Sequence, residues 1–243
     1  MVKIVAEGAN GNYTVSQLLD IMRILRSPEG CPWDREQSHK SIRNDALEEV
    51  YEVADAIDNE DAAALCEELG DMLLQVVFHS RIGEENGEFS FSDVVDGICK
   101  KLVLRHPHVF GEEHIENSAD VLDRWDSIKK EEKNQSTVAD TLNSVPKAFP
   151  ALMRAAKVQK RMKKAGIPMG DPDKALTASF ESFKAACSSQ DKANLADAYG
   201  NLLYALAGMQ NALGINCEEA LNSATERAIK DVEQREKEGT LFD

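Results

Sequence analysis

The sequence has few cysteines, no long apolar run and no segment typical of export, and each of these shortages excludes a class of protein. The cysteines are scattered and form no Cys-x-x-Cys pair, which argues against a disulfide framework or a zinc site and favours a reducing cytoplasm. The most apolar stretch, LLQVVF, is far too short to cross a bilayer, and the first residues lack the apolar core of a signal peptide. The five cysteines are Cys31, Cys66, Cys99, Cys187 and Cys217.

Positive charge is also scarce. The 243 residues include 28 Lys and Arg against 43 Asp and Glu, a net charge of −15. A surface of this sign repels nucleic acid and anionic lipid, so we expect neither a nucleic-acid nor a membrane partner. A phosphate-bearing ligand would need local cations or a bound metal. With 42% apolar residues, the chain can form one large or two small soluble domains.

Strand signals are scarce, whereas helical periodicity is common, so the sequence predicts an all-α fold. Thr14 and Gln17 form a capping-box pattern at the start of the first helix. The segment NQSTVADTLNSVPKAFP has the composition of a linker. Helices are predicted over about 15–26, 41–58, 61–85, 92–105 and 118–133, with three or four more between 151 and 237.

The two halves of the chain are predicted to be tandem repeats. EELGDMLLQVVFHSRIG in the first half is echoed by DAYGNLLYALAGMQNALG in the second, with Gly70 aligned to Gly200 at an offset of 130 residues. The apolar frame is kept, but the second copy is degenerate because its acidic positions are lost. At this offset Glu48, Glu49, Glu52, Glu68 and Asp71 fall on Ala178, Ser179, Ser182, Ala198 and Asn201. The predicted domains are therefore 1–135, a linker at 136–149, and 150–243.

Two clusters of carboxylates, in ALEEVYEVADAI and LCEELGD, are the candidate functional site. The first cluster alone fits a solvated helix face equally well. In the second, Asp71 shares a helical face with Leu74 and Phe78, which points it inward, and a buried unpaired carboxylate costs several kcal/mol. No Lys or Arg lies between Arg43 and Arg81 to pair with it. Five carboxylates on neighbouring helices would form a site for a hard divalent cation, Mg²⁺ or Mn²⁺ rather than zinc.

Six segments in this order make the chain resemble the MazG family of all-α nucleoside triphosphate pyrophosphohydrolases. They are LRSPEGCPWDREQ, LEEVYEVADAI, ELGDMLLQVVFHSR, RHPHVFGEE, RWDSIKKEE and PALMRAAKVQKR. The resemblance implies helical bundles that form a homodimer. It also implies Mg²⁺-dependent hydrolysis of nucleoside triphosphates at the α–β bond, giving a monophosphate and pyrophosphate, as in nucleotide-pool house-cleaning. In some two-domain relatives the C-terminal copy is active, whereas here only the N-terminal copy keeps the acidic residues.

The same resemblance assigns roles to individual residues. The EExxE and ExxD motifs would be the metal ligands Glu48, Glu49, Glu52, Glu68 and Asp71. Of these, Glu49 and Glu52 are the candidates for orienting the attacking water. The Lys-x-x-x-Arg and Trp-x-x-x-Lys motifs on the substrate side match Lys101 with Arg105, and Trp125 with Lys129. Trp33 could equally stack on a base or plug the core.

Two other functions remain open from the sequence. The first is a pyrophosphatase restricted to one nucleotide, such as dUTP, dCTP or phosphoribosyl-ATP, whose known enzymes share the acidic motif but lack GCPWD and RHPHVF. The second is a non-catalytic nucleotide-sensing regulatory protein built on the same bundle. The complete acidic set in the first copy favours an enzyme over the sensor.

Overall fold

The structure, a computed structural model, describes residues 11–113, 117, 120–121, 124–125, 128, 137–188 and 191–240. Within these ranges the chain is helical and contains no strand, which confirms the predicted all-α class. It divides into two compact units, Met1–Lys129 and Lys130–Asp243. In the described part of the chain, no helix combines the length and the apolar character needed to cross a membrane.

The first unit contains six described helices, of which α1, α3, α4 and α5 agree closely with the predicted ranges, whereas the short helices α2 and α6 were not predicted. The capping box forms as predicted: the Gln17 N–H donates to Thr14 Oγ1 at 3.3 Å, and the Thr14 N–H donates to Gln17 Oε1 at 2.9 Å. The predicted helix at 118–133 lies mostly outside the described residues. The six helices are α1 (Val15–Leu25), α2 (Pro32–Glu36), α3 (Arg43–Asp58), α4 (Ala62–Asn86), α5 (Phe91–Arg105) and α6 (Pro107–Phe110).

Helix α4 is the centre of the first unit, because α1, α3 and α5 all pack against it. The Asp61 side chain caps its first turn by accepting from the N–H groups of Ala63 and Ala64. Gly87 ends it at φ 70°, a left-handed conformation that suits glycine. The C-terminal half of α4 supplies much of the core, which consists of Met22, Ile42, Val77, Phe78 and Ile82.

A buried arginine, Arg26, joins the end of α1 to α4. Its side chain is 5% exposed and binds the Glu85 carboxylate through two nitrogens, at 3.0 and 2.6 Å. It also donates to the backbone carbonyls of Asp34 and Gln37, and it lies over the Phe78 ring. Arg26 therefore connects three segments of the first unit at one point.

The second unit contains five described helices. Helix α10 packs against α8, α9 and α11, and the buried Gln159 of α8 donates from Nε2 to the Tyr204 carbonyl at 2.7 Å. The side chain of Asp191 caps the start of α10 as that of Asp61 caps the start of α4, and the two aspartates are 130 residues apart. The tandem repeat itself stays a prediction. The helices are α7 (Val138–Asn143), α8 (Ala151–Lys164), α9 (Pro172–Cys187), α10 (Lys192–Leu213) and α11 (Cys217–Glu238).

The segment interpreted as a linker, 136–149, differs from that description because it contains α7. This helix packs against α8, and Val145 just after it is 1% exposed. Arg161 of α8 donates to the Thr141 carbonyl and to Ser144 Oγ. The polar composition of the segment concealed these contacts, since one carbonyl and one hydroxyl of the segment bind a single arginine of α8.

Replacing Arg26 should destabilise the first unit strongly. We expect Arg26→Met to lower the free energy of unfolding by about 3 kcal/mol, because the partly buried Glu85 keeps only Arg81 as a cation and two carbonyls lose a donor. Urea denaturation at pH 7 measures the loss. Arg23→Met is the matched control: it removes the exposed pair with Asp20 and should cost under about 1 kcal/mol. Similar losses for the two variants would contradict the assignment.

The pH dependence gives a second readout of the same pair. Partial burial alone would raise the pKa of Glu85, but hydrogen bonds and charge from Arg26, and then from Arg81, hold that pKa below its ordinary value. A lowered folded-state pKa stabilises the protein above the unfolded-state pKa, and this contribution is lost as pH falls through the folded value. The stability difference between wild type and Arg26→Met should therefore shrink in acid.

Candidate metal centre

The packing of α3 against α4 brings the two acidic motifs together. The two helices are joined by residues 59–61 only, and a connection this short makes them neighbours in a hairpin. Glu60 in this turn has φ 55°, the left-handed region that lets the chain reverse direction. The EExxE motif lies on α3 and the ExxD motif lies near the start of α4, so both motifs sit on facing helices of one hairpin.

Three of the five predicted ligands form a compact group. Carboxylate oxygens of Glu49, Glu68 and Asp71 all lie within 4.8 Å of one another, and the three residues are half-buried. We call these three residues the acidic cluster. Glu52 is adjacent, since its charge and hydrogen bonding act on Glu49. Glu48 is exposed and lies outside the acidic cluster.

Burial and mutual repulsion both oppose ionisation in the acidic cluster. Desolvation raises the pKa of Glu49, a hydrogen bond from Gln75 opposes this, and the charges of Asp71 and Glu52 raise it further. Desolvation also raises the pKa of Glu68, together with the charges of Glu67, Asp71 and Glu49. Both carboxyl groups therefore ionise less readily than isolated ones, and a nearby cation would favour their charged forms.

Gln75 is a polar contact of the acidic cluster that the sequence analysis missed. It is 9% exposed, and its Nε2 donates to Glu49 Oε1 at 3.4 Å. Its own Oε1 is buried and has no hydrogen-bond partner within the described chain. The position of Gln75 in the sequence could have indicated this contact, because Gln75 lies four residues after Asp71 and interrupts an apolar run. An amide at this position can orient Glu49.

The donor atoms of the acidic cluster fit a hard divalent cation. All of them are carboxylate oxygens, and no histidine or cysteine belongs to the cluster, which disfavours zinc. The cluster is only half-buried, so water or a ligand can complete the coordination sphere. It can therefore hold a metal ion and leave positions open to a substrate.

The other predicted site residues lie outside the acidic cluster. Lys101 is exposed and Arg105 is half-buried, one turn apart on α5, which packs against α4. Trp125 is 38% exposed, with its ring 6.3 Å from that of His106. Lys129 lies outside the described residues. Trp33 on α2 is 58% exposed, so of its two predicted roles the core plug is wrong.

Comparisons with known proteins converge on one family. Residues 37–110 match the MazG nucleotide pyrophosphohydrolase domain. The chain is 42% identical over 229 residues to the nucleoside triphosphate pyrophosphohydrolase of Escherichia coli K12, across 90% of this chain and 87% of that protein. It is 36% identical over 231 residues to the nucleoside triphosphate pyrophosphohydrolase/pyrophosphatase MazG of Thermotoga maritima, across 93% and 89%.

A solved structure is also similar. The crystal structure of a mazG-related protein from Thermotoga maritima aligns with 48% of this chain and 99% of its own, at 30% identity and a TM-score of 0.41. The range matched to the domain, 37–110, contains the acidic cluster, Gln75 and the Lys101–Arg105 pair.

Metal binding should be visible as thermal stabilisation. We expect Mg²⁺ to raise the melting temperature of the wild type, because a ligand at about 100 times its Kd stabilises the folded state by about 2.7 kcal/mol. Asp71→Asn should respond much less, and without metal it should melt higher, since one repulsive charge is removed. Asp58→Asn, on the exposed end of α3, is the charge-matched control and should respond as the wild type does. Equal Mg²⁺ responses in all three proteins would rule out the acidic cluster as the principal site.

Proposed function

This chain belongs to the MazG nucleotide pyrophosphohydrolase family, and on that premise we propose that it hydrolyses nucleoside triphosphates between the α and β phosphoryl groups. The products are a nucleoside monophosphate and pyrophosphate, a reaction suited to cleansing the nucleotide pool. The observation that carries the proposal is the acidic cluster, three carboxylates within 4.8 Å on one helical hairpin. The names of the two relatives, which cover most of this chain, support the same reaction.

The cofactor of this reaction is Mg²⁺, with Mn²⁺ as the alternative. Glu49, Glu68 and Asp71 would hold it, with Glu52 alongside Glu49 and Glu48 reached by a rotamer change on the same helix. Carboxylate-only ligation on a half-buried surface supports a hard cation. When bound, Mg²⁺ offsets the charge of the triphosphate and polarises its phosphoryl oxygens.

On α5, Lys101 and Arg105 would bind the pyrophosphate that departs. Lys101 and Arg105 lie one turn apart, so both side chains can reach neighbouring phosphate oxygens. They would offset the negative charge that builds up on pyrophosphate as the α–β bond breaks. Trp125 and Lys129 form the second substrate-side pair, and the exposure of Trp33 suits an aromatic surface on which a base stacks.

Glu49 is the better of the two candidates for orienting the attacking water. Its Oε1 is held by Gln75, so the carboxylate has a fixed direction. Glu52 is exposed and lies beside it. A general base must lie within hydrogen-bond reach of the proton that it accepts, and a fixed carboxylate meets this requirement at lower entropic cost. We assign the water to Glu49 and a supporting role to Glu52.

The second unit has no metal-dependent activity and contributes packing or dimer surface. Its residues at the five ligand positions of the repeat are neutral, namely Ala178, Ser179, Ser182, Ala198 and Asn201. When the starts of α5 and α11 are aligned, an offset of 126 residues, Asp231 stands where the first copy has Arg105, and an aspartate there would repel a phosphate. The reaction takes place in the cytoplasm, a location that the five free thiols of the structure suit.

A homodimer is the proposed assembly. Leu69, Leu73 and Val76 form a stripe at helical spacing along α4 and are 38–45% exposed. Ile98 and Leu102 continue an exposed apolar face on α5, at 50% and 47%. Contiguous apolar surface of this kind is typical of protein interfaces, and a two-fold axis would bury the same stripe on both copies.

Pyrophosphate release tests the proposed reaction. We expect the full chain with Mg²⁺ to release pyrophosphate and nucleoside monophosphate in equal amounts from a panel of nucleoside triphosphates. Glu68→Gln should lower kcat/KM more than tenfold, a loss of at least about 1.4 kcal/mol of transition-state stabilisation. The matched control is Glu67→Gln at the exposed neighbouring residue, and its kcat/KM should stay within about threefold of the wild-type value.

Other outcomes of this panel distinguish the rival functions. Release of orthophosphate alone would mean cleavage at another bond and would refute the proposal. Turnover of a single nucleotide would support the narrow-specificity enzyme, and binding without any release would support the sensor. Residual Mg²⁺-dependent release from the double variant Glu68→Ala, Asp71→Ala, above a no-enzyme control, would locate a second active site in residues 130–243.

Sedimentation equilibrium tests the dimer. We expect a mass twice the 26.8 kDa of the chain. Leu73→Asp should shift the mass towards the monomer, because a charge would be buried in the centre of the stripe. The control is Val103→Asp, because Val103 is exposed on α5 but belongs neither to the stripe on α4 nor to the face of Ile98 and Leu102. A wild-type mass of one chain at micromolar concentration would disprove the assembly.

A further inference from the structure

The second unit contains a large cavity for which the proposed reaction has no use. Its volume is about 590 Å³, and it lies between α8, the connection at 165–171, α9 and α10. Sites for small molecules typically have volumes of about 300–1,000 Å³. The cavity is therefore large enough for a molecule of nucleotide size. It lies within a unit whose residues at the five aligned ligand positions are neutral.

The cavity lies at the repeat position of the acidic cluster. Ala178, Ser179 and Ser182 on α9 line it, and these residues stand where the first copy has Glu48, Glu49 and Glu52. Asn201 on α10 also lines it and stands at the position of Asp71. Small and neutral residues at these positions have left space where the first unit has carboxylates.

The charge of the lining limits the ligand. Among the described residues that line the cavity there is no carboxylate, imidazole or thiol, so the cavity offers no anionic ligand for a divalent cation. A triphosphate with about four negative charges could not be neutralised there without a metal. Lys163 is the one cation among those residues. A ligand with a single phosphate or carboxylate matches this charge.

The polar groups of the lining suit a heterocycle. The amide of Asn201 carries donors and an acceptor, as the edge of a nucleobase does. Asn211 donates from Nδ2 to the Ala156 carbonyl at 3.2 Å, so its amide is held in place and offers its Oδ1 and its second N–H to a ligand. Ile167 and Met169 provide apolar contact for the face of a ring. The combination of amides, an apolar wall and one cation is typical of a small-molecule site.

One wall of the cavity is held rigidly. Gln159 is 8% exposed, and its Nε2 is bound to the Tyr204 carbonyl at 2.7 Å. Its Oε1 lies so close to Gly208 that a Cβ there would approach within 2.4 Å. Glycine at 208 therefore makes room for the amide, and the wall does not collapse into the empty space.

We propose that this cavity is a second ligand site that binds a nucleoside monophosphate without metal, with Lys163 on the phosphate and the asparagine amides on the base. The proposal depends on the cavity and its lining, and not on the reaction assigned to the first unit. It assigns to the degenerate copy a ligand of the same class as its intact counterpart, with fewer charges.

Isothermal titration of the full chain tests this site. The buffer contains EDTA, which removes the metal on which the first unit depends, and the probes are AMP, CMP, GMP and UMP with their four nucleosides. We expect at least one monophosphate to bind once per chain. Ala178→Trp should weaken binding more than tenfold by filling the cavity. Lys163→Met should weaken the binding of the monophosphate more than tenfold and the binding of its nucleoside less than twofold. Lys174→Met, 87% exposed and outside the cavity, is the control and should bind as wild type.

Each other result counts against the site. Binding of none of the four monophosphates by the wild type would overturn the proposal, as would binding that Ala178→Trp leaves unchanged. Equal effects of Lys163→Met on monophosphate and nucleoside would refute the role of the lysine. Circular dichroism checks that Ala178→Trp folds, and Ser182→Leu fills the cavity less severely if it does not. Loss of the dimer in Ala178→Trp, with no nucleotide binding by wild type, would identify the cavity as a surface between copies.

Discussion

The candidate site of the first unit depends on holding three carboxylates within 4.8 Å of one another. The cluster itself opposes this, because desolvation raises the pKa values of Glu49 and Glu68 and the charges of neighbouring carboxylates raise both further. The packing of α3 against α4 and the short turn that joins them hold the carboxylates in place. A site that is repulsive when empty is well suited to a cation, because binding removes the repulsion.

Helix α4 combines this site with the core along its length. Its first turns carry Glu68 and Asp71, and its later turns carry Val77, Phe78 and Ile82, which are almost completely buried. The Arg26–Glu85 pair holds the far end of the same helix. The rigid part of α4 therefore positions the acidic part, in the manner of a scaffold that supports a functional site on a fixed element.

Each unit contains a pair of adjacent packed helices, α3 with α4 in the first and α9 with α10 in the second. Asp61 and Asp191 cap the second helix of each pair, and apolar positions recur at the same offset. In the first unit the facing positions are acidic, whereas in the second they are alanine, serine and asparagine around an open cavity. On the predicted repeat, the same pair of helices folds without the carboxylates, so we expect them to serve a function.

The sequence by itself determined the helical class, most helix ends and the two acidic motifs, because periodicity and caps such as Thr14 and Asp61 are local properties of the chain. Tertiary structure decided which motif residues meet: Glu49, Glu68 and Asp71 converge, whereas Glu48 remains exposed. It also placed the Gln75 amide on Glu49, exposed Trp33 and opened the cavity beside Gly208. A helical pattern specifies only the direction in which each side chain points away from the axis of its own helix. The rotation and register of one helix against another depend on packing between residues distant in sequence, which no local pattern contains.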